Sequence, residues 1–377
     1  MEPKIRFKGF EGEWKTSTIG EIAPLQRGYD LPTNNVISGT IPVVYSNGIL
    51  RFHNEGKCQA PAIITGRSGT IGKFTYIDHG EYWPHNTSLW VTTFHKNYPR
   101  FVYYFFQNVG FEKYATGSGV PTLNRNDIHK HIESIPSNKE EQQAIASYFT
   151  TLDSQISAST SRLASLKQMK AASLQAMFPQ EGETVPKIRF KGFKGEWKKV
   201  KADSIFKTFN EKNRPDLPVL SATQDRGMVT RESIGYNIFH DTSNEATYKH
   251  ILPGQFVIHL RSFQGGFAHS EIEGIASPAY TIMDFKNKDL YHDYYWRYVF
   301  MSKEFIKRLE LITYGIRDGR SISYDEFKEM SFLVPSKEEQ IKIASYLKNL
   351  DRQISLQSQR LEKLKQIKSA CLDKMFV

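Results

Sequence analysis

Cysteine is nearly absent: Cys58 and Cys371 are the only two among 377 residues, and they stand far apart in the chain. That argues against a disulfide framework and a cysteine-rich zinc site. No run approaches the ~20 consecutive apolar residues of a membrane span, and the opening Met-Glu-Pro-Lys-Ile-Arg-Phe-Lys lacks the apolar stretch of a secretory signal. A soluble, cytoplasmic protein without a membrane partner is expected. Acidic residues are the minority charge, forty Asp plus Glu against fifty Lys plus Arg, for a net +10. That balance favours a polyanionic partner without requiring one. Hydrophobic residues make up 39% and aromatics 13%, enough for true cores. The length suggests two or three domains, because single cores stop growing near ~250 residues.

What the chain does have is a repeat of itself, the first thing to look for in a sequence of this length. Pro3 to Trp14 and Pro186 to Trp197 are identical except where Glu11 becomes Lys194. A second repeat aligns 139–178 with 337–376 without gaps, with 23 identities in 40 positions. Between the repeats lie two stretches with no obvious identity, roughly 15–136 and 198–335, so a duplicated frame carries two different inserts. Charge divides unevenly: residues 1–183 hold 18 basic and 16 acidic groups, and 184–377 hold 32 and 24. If charge tracks partner contact, the second half should be the more sensitive to salt.

The second repeat opens with Pro-Ser, and Glu follows three places after the Ser, as in Ser137 to Glu140 and Ser336 to Glu339. This is capping-box spacing and predicts a helix start in both halves. Phe149, Leu152, Ile156, Leu163, Leu166 and Met177 then follow the 3-4 spacing of a heptad seam, as do Leu347, Leu350, Ile354, Leu361, Leu364 and Met375. Neither run contains Pro or Gly for about 40 residues, so each helix can reach ~60 Å at 1.5 Å per residue. Ser159 and Gln357, then Lys170 and Lys368, interrupt the seams at matching places, and polar seam positions tend to fix register and partner. Two independent amphipathic helices are the plain alternative. The matched seams favour an antiparallel coiled coil, since a whole insert separates the helices and must fold back. The expected fold is α+β: two globular mixed α/β domains, 1–136 and 186–335, joined by long helices at 137–178 and 336–377 with a linker at 179–185, in a pseudo-twofold arrangement.

Both inserts read as strands broken by turns, at Ile41 to Tyr45, Ala62 to Thr65, Leu89 to Thr93, Gln255 to Leu260 and Tyr280 to Met283. Each also has an aromatic helix, Phe101 to Phe106 and Tyr294 to Phe300, followed by a glycine loop. Those aromatics suit a core better than base stacking. Gly66 to Lys73 invites a phosphate-loop reading and fails it: the glycines stand one residue too far apart, and Phe74 occupies the place of the magnesium-binding Ser or Thr. A loop presenting Arg67 and Ser68 remains, with a solvated turn as the competing reading. Its counterpart is Arg261, Ser262 and Gln264. Arg suits guanine edges and Ser suits phosphate oxygens. Asn86, Thr87 and Arg125 add donors in the first half. Gln224, Arg226, Arg231, Arg317, Arg320 and Ser321 do so in the more basic second.

Signs of catalysis are weak. No two prolines adjoin, so the Asp/Asn-Pro-Pro-aromatic motif of DNA amino-methyltransferases is missing. Gly117 to Thr122 lacks the third glycine of a dinucleotide fingerprint. The Glu-x-Lys triplet at Glu13 to Lys15 returns at Glu196 to Lys198 inside the duplicated frame, as a structural element would. His129-x-His131 has no completing carboxylate or thiol nearby, and exposed histidines are the better expectation.

Taken together, the Gly-x-x-Gly-Glu-Trp stretches at 9–14 and 192–197, the Glu-Glu-Gln helix openings at 140–142 and 338–340, and Ile-Ala-Ser-Tyr followed by Leu-Asp and Gln-Ile, all occurring twice, resemble the specificity subunits of type I restriction-modification enzymes. The resemblance covers nearly the whole chain. It implies that each insert is a target recognition domain reading one half of an asymmetric, bipartite site in double-stranded DNA. The paired helices would set the spacer and dock two methyltransferase (modification) subunits, and restriction/translocase subunits would join the complex. S-adenosylmethionine, ATP and Mg would serve those partners, and this chain would bind no cofactor and catalyse nothing. A coiled-coil assembly scaffold whose inserts bind protein is the rival reading, and a lone DNA-modifying enzyme is a third.

Overall fold

The computed structural model describes residues 2–117, 119–223, 226–234, 242–259, 266–312 and 322–377. Its contacts divide into two compact units, 1–161 with 359–377, and 162–358. Each division falls inside a long helix, so each unit owns one insert and half of each of the helices Lys139–Ala176 and Lys337–Met375.

The repeats of the frame bind each other. In the first unit Arg6 donates from Nε and Nη2 to the two carboxylate oxygens of Glu141, at 2.7 and 2.9 Å, and Trp14 Nε1 donates to Glu141 at 3.3 Å. In the second unit Arg189 grips Glu339 in the same way, at 2.7 and 2.8 Å. Both glutamates are buried, at 2% and 1% exposure, so each carboxylate takes its hydrogen bonds from a fork matched to it. Gln142 and Gln340, also buried, bind the carbonyls of Pro136 and Pro335. The opening strand of each insert then closes on its final one: Lys15–Thr18 pairs antiparallel with Ile132–Ile135, and Lys198–Lys201 with Ser331–Val334.

One detail corrects the capping box expected at Ser137. The first helix begins one residue later, and Asn138 Oδ1 accepts the Glu141 amide at 3.0 Å. Asn138 aligns with Ser336, whose Oγ accepts the Glu339 amide at 3.4 Å. Both glutamate side chains are spent on arginine.

Inserts without sequence identity share a topology. The first holds a four-stranded antiparallel sheet in the order Leu25–Arg27, Ser88–Val91, Ala62–Gly66, Phe74–Ile77. The second holds Phe206–Phe209, Thr281–Phe285, Phe256–Ile258, Phe267–His269 in the same order. The first insert adds a second sheet in which Ile41–Tyr45 lies parallel to Glu81–Pro84 and antiparallel to Gly48–His53. The aromatic helices Pro99–Val109 and Asp293–Met301 are core: Phe101, Tyr104, Phe105, Phe106, Tyr295, Trp296, Tyr298 and Phe300 are buried.

Within each unit the long helices run antiparallel. In the first, Tyr148 meets Cys371 at 3.4 Å and Asp153 pairs with Lys368 at 2.6 Å; in the second, Lys170 pairs with Asp351 at 2.6 Å and Ser173 meets Tyr346 at 3.3 Å. Phe149 and Leu152 pack with Met375 and Phe376, and Leu166 with Leu347 and Leu350. Ile156, Leu163, Ile354 and Leu364 are half-buried, and Leu361 is buried. The seam lysines acquire a reason: each pairs with an aspartate of the opposite helix, and that aspartate also accepts the hydroxyl of the aromatic helix's tyrosine, Tyr104 to Asp153 at 2.9 Å and Tyr298 to Asp351 at 2.8 Å. One polar triad in each unit locks insert, first helix and second helix in register.

Candidate nucleic-acid interface

In the first unit, the loop after strand Ala62–Gly66 folds tightly upon itself. A Cβ on Gly66 would lie 1.7 Å from the Thr70 carbonyl oxygen, so only glycine fits there. The turn fixes Arg67: its amide donates to Thr87 O at 2.8 Å, its carbonyl accepts from the Leu123 amide at 2.8 Å, and its Nη1 donates to Asn86 O at 3.4 Å. Ser68 also donates its amide to Thr87 O, at 3.3 Å, and bridges to Thr122. Three loops distant in sequence therefore meet, at Arg67 and Ser68, at Asn86 and Thr87, and at Thr122 and Leu123 just before Arg125. Arg125 is exposed at the first position of the short helix Arg125–His129, which Asn124 caps by accepting from the Asn126 amide at 3.0 Å.

Arg67 and Arg125 line a cleft of about 650 Å³ together with Gln26, Arg27, Gly28, Tyr29 and Asp30, none of which the sequence marked out. Gly28 is the reason that this segment arrives there. A Cβ would lie 2.2 Å from the His85 carbonyl oxygen, so the backbone passes the Asn86 loop at a distance only glycine allows. Asp30 accepts from Arg27 Nη2 at 3.2 Å and from Asn86 Nδ2. Arg27, Arg67 and Arg125 outnumber Asp30, the one acid of the cleft, so its field attracts anions.

Two histidines brace this region. The ring of His85 lies 4.1 Å from that of Tyr45 and its Nδ1 meets Thr87 Oγ1 at 3.0 Å. His129 Nε2 accepts the Leu25 amide at 2.8 Å, which requires a neutral ring. Burial lowers the pKa of both. The expectation of exposed histidines is thus corrected: His129 anchors a strand, and His131 hydrogen-bonds Tyr114 at 2.7 Å and Glu133 at 2.8 Å. Burial also lowers His259 and His292 in the second unit. Each group binds a proton more readily unfolded than folded, so stability is complete above the ordinary histidine value of 6.5 and falls as pH drops below it. Melting temperature should decline between about pH 7 and pH 5.5, above the carboxylate range; an unchanged value across that interval would contradict this.

In the second unit, residues 259–266 join the topologically equivalent strands to those that 67–73 join in the first. Gln224, Arg261, Ser262, Gln264, Arg317, Arg320 and Ser321 lie outside the described residues. Arg226 is exposed at the hairpin turn between Leu220–Thr223 and Gly227–Thr230. Arg231 is half-buried, with Nε 3.4 Å from Ser221 Oγ, its guanidinium 5.9 Å from the Tyr248 ring centre and its Nη1 buried. It holds its own hairpin.

Among the described residues, no group of three or more His, Cys, Asp or Glu side chains could hold a metal, and no helix is long and apolar enough to cross a membrane. Two modules that share one sheet order, each on its own portion of paired helices, define a duplicated binding protein. The chain belongs to the family of the type I restriction modification DNA specificity domain, whose model matches residues 11–168 and 194–366. It is a sequence-specific DNA-recognition subunit, the non-catalytic part of such systems. Its fold is similar to that of the type I restriction-modification S subunit from M. genitalium, with a TM-score of 0.69 at 16% identity over 100% of this chain and 99% of that one. A chain from a study of type I R-M complex assembly and conformational transition matches with a TM-score of 0.51 at 15% identity, covering 97% and 98%. No curated protein matches the sequence.

Proposed function

We propose that this chain reads a bipartite, asymmetric site in double-stranded DNA, with residues 1–136 and 186–335 as two target recognition domains, each taking one half-site. The observation that carries this reading is the shared sheet order beneath unlike loops: a common scaffold presents different side chains, as two different half-sites require. In the first domain Arg67 and Asn86 are the base-reading candidates, and Ser68, Thr87 and Arg125 the phosphate contacts. In the second, Gln224, Arg226, Arg231, Arg261, Ser262, Gln264, Arg317, Arg320 and Ser321 are the corresponding set, with Arg226 ahead of the inward-held Arg231. The helices at 137–178 and 336–377, with the linker 179–185, set the spacer and dock two methyltransferase subunits. Restriction/translocase subunits complete the cytoplasmic assembly. S-adenosylmethionine, ATP and Mg belong to those partners.

Mapping adenine methylation in cells that express this chain with its methyltransferase tests the reading directly: a two-part motif supports it, and a continuous or palindromic motif refutes it. Arg67→Ala should weaken binding to the mapped site by ~1–3 kcal/mol and relax preference at one position of one half-site. Unaltered affinity and an unaltered motif would remove this loop from the interface.

A further inference from the structure

The second unit contains a cleft of about 1170 Å³, much larger than the one at Arg67, between the 220–230 hairpin and the two helix portions of that unit. Lys170, Arg226, Arg297, Lys348 and Arg352 line it, with Glu271 and Asp351 as its acids. Both acids are already committed: Asp351 to Lys170 at 2.6 Å and to the Tyr298 hydroxyl at 2.8 Å, Glu271 to Arg297 at 2.5 Å. Among the described residues, that leaves the exposed Arg226, Lys348 and Arg352 without a paired carboxylate, with Lys348 resting 3.6 Å from the Tyr294 ring centre. The helix repeats sharpen the point. They agree at the locking residues, Asp153 with Asp351 and Lys368 with Lys170, yet where the second helix has Lys348 and Arg352 the first has Thr150 and Ser154. Overall, 139–178 carries four basic and three acidic residues, and 337–376 nine and five. The two repeats share the lock, and only the second carries these cations, on the wall of its cleft.

We infer that this cleft is a phosphate-binding channel for the backbone of the bound duplex, in which helix residues Lys348 and Arg352 act with Arg226 of the hairpin. It adds sequence-independent affinity on the side of the second recognition domain. The inference rests on the DNA-recognition reading and extends the contact surface from the domain's loops to the helix. Carbons of Tyr294 and Ile354 form part of the wall, so the cations act beside low-dielectric surface, where they are screened less than on an open helix.

The test uses the full-length chain and short duplexes containing or lacking the mapped site, titrated at several salt concentrations. In the double variant Lys348→Thr, Arg352→Ser, each residue becomes the one that the first helix carries at the equivalent position. The charge-matched control is Lys342→Ala with Lys363→Ser, also repeat-equivalent replacements, outside the cleft. The cleft variant should bind both duplexes more weakly and by a similar factor, with the slope of log affinity against log salt smaller by about 2, since each phosphate contact contributes ~0.9. The control should stay near the parent. Equal behaviour of cleft variant and control, with the parent still binding duplex, overturns the channel while leaving the recognition reading intact. So does unchanged DNA binding accompanied by weaker association with the methyltransferase, which would assign the cations to an acidic protein surface. A parent chain that binds no duplex under any salt condition overturns both.

Discussion

Arg189→Ala should lower the stability of the second unit by ~3–5 kcal/mol, the cost of removing one partner from a buried ion pair. Glu339 is 1% exposed and has both carboxylate oxygens on the Arg189 guanidinium, which also donates to the Gly195 carbonyl at 2.5 Å. Without the arginine, a charged carboxylate stays enclosed in the first turn of the second long helix with too little to neutralise it. The helix N-terminus offsets only part of that cost, about 0.3–1 kcal/mol. Adding Glu339→Gln should recover part of the loss, because an amide is far cheaper to bury than an unpaired charge. Denaturant unfolding of the full chain, with a reporter in the second unit, reads the effect. A loss below about 1 kcal/mol would show that the pair behaves like an exposed one. Arg6 and Glu141 should behave alike in the first unit.

Excising one register-matched heptad, 155–161 from the first long helix with 360–366 from the second, should shift the methylated motif completely. Both segments lie within the first unit, and the cut spares Asp153, Lys368, Lys170 and Asp351, so each locking triad survives. Seven residues of helix are about 10 Å long, equivalent to ~3 base pairs at 3.4 Å each. If the helices set the spacing, both half-sites stay as they were and the gap between them shortens by about that number. Methylation of the original motif at full efficiency would refute the ruler.

Much of the frame was legible because it is written twice. The matched seams called for paired antiparallel helices, and the halves of the helices in each unit are paired in that sense. The aromatic helices, assigned to the core on their duplicated placement, are buried there. What linear reading missed were side chains recruited across distance. Spacing put Glu140 in a capping box with Ser137; the helix starts one residue later, and the side chain of Glu141 is taken by Arg6, 135 residues away, because a bidentate guanidinium satisfies both oxygens of a buried carboxylate. His129 and His131 looked exposed: the partners Leu25 and Tyr114 come from elsewhere in the chain, and Glu133, two residues from His131, was overlooked although it lies 2.8 Å from its ring.

The candidate interface divides in the same way. Arg67, Ser68, Asn86, Thr87 and Arg125 stood out as donors in turns, but their convergence depends on the sheet that carries two of their loops. Arg27, Tyr29 and Asp30 gave no signal of their own; the one available was Gly28, a glycine following a short strand, whose need for close approach to His85 exists only in the folded chain.

The sequence by itself determined the duplication, the long helices with their seams, the unequal charge of the halves and the resemblance that names the family, since each depends on residue order alone. Tertiary structure decided that both inserts share one sheet order, that the seam lysines close polar triads, and which cations remain uncompensated among the described residues. These depend on which backbones approach and which carboxylates are already taken, and neither is a property of any local stretch of chain.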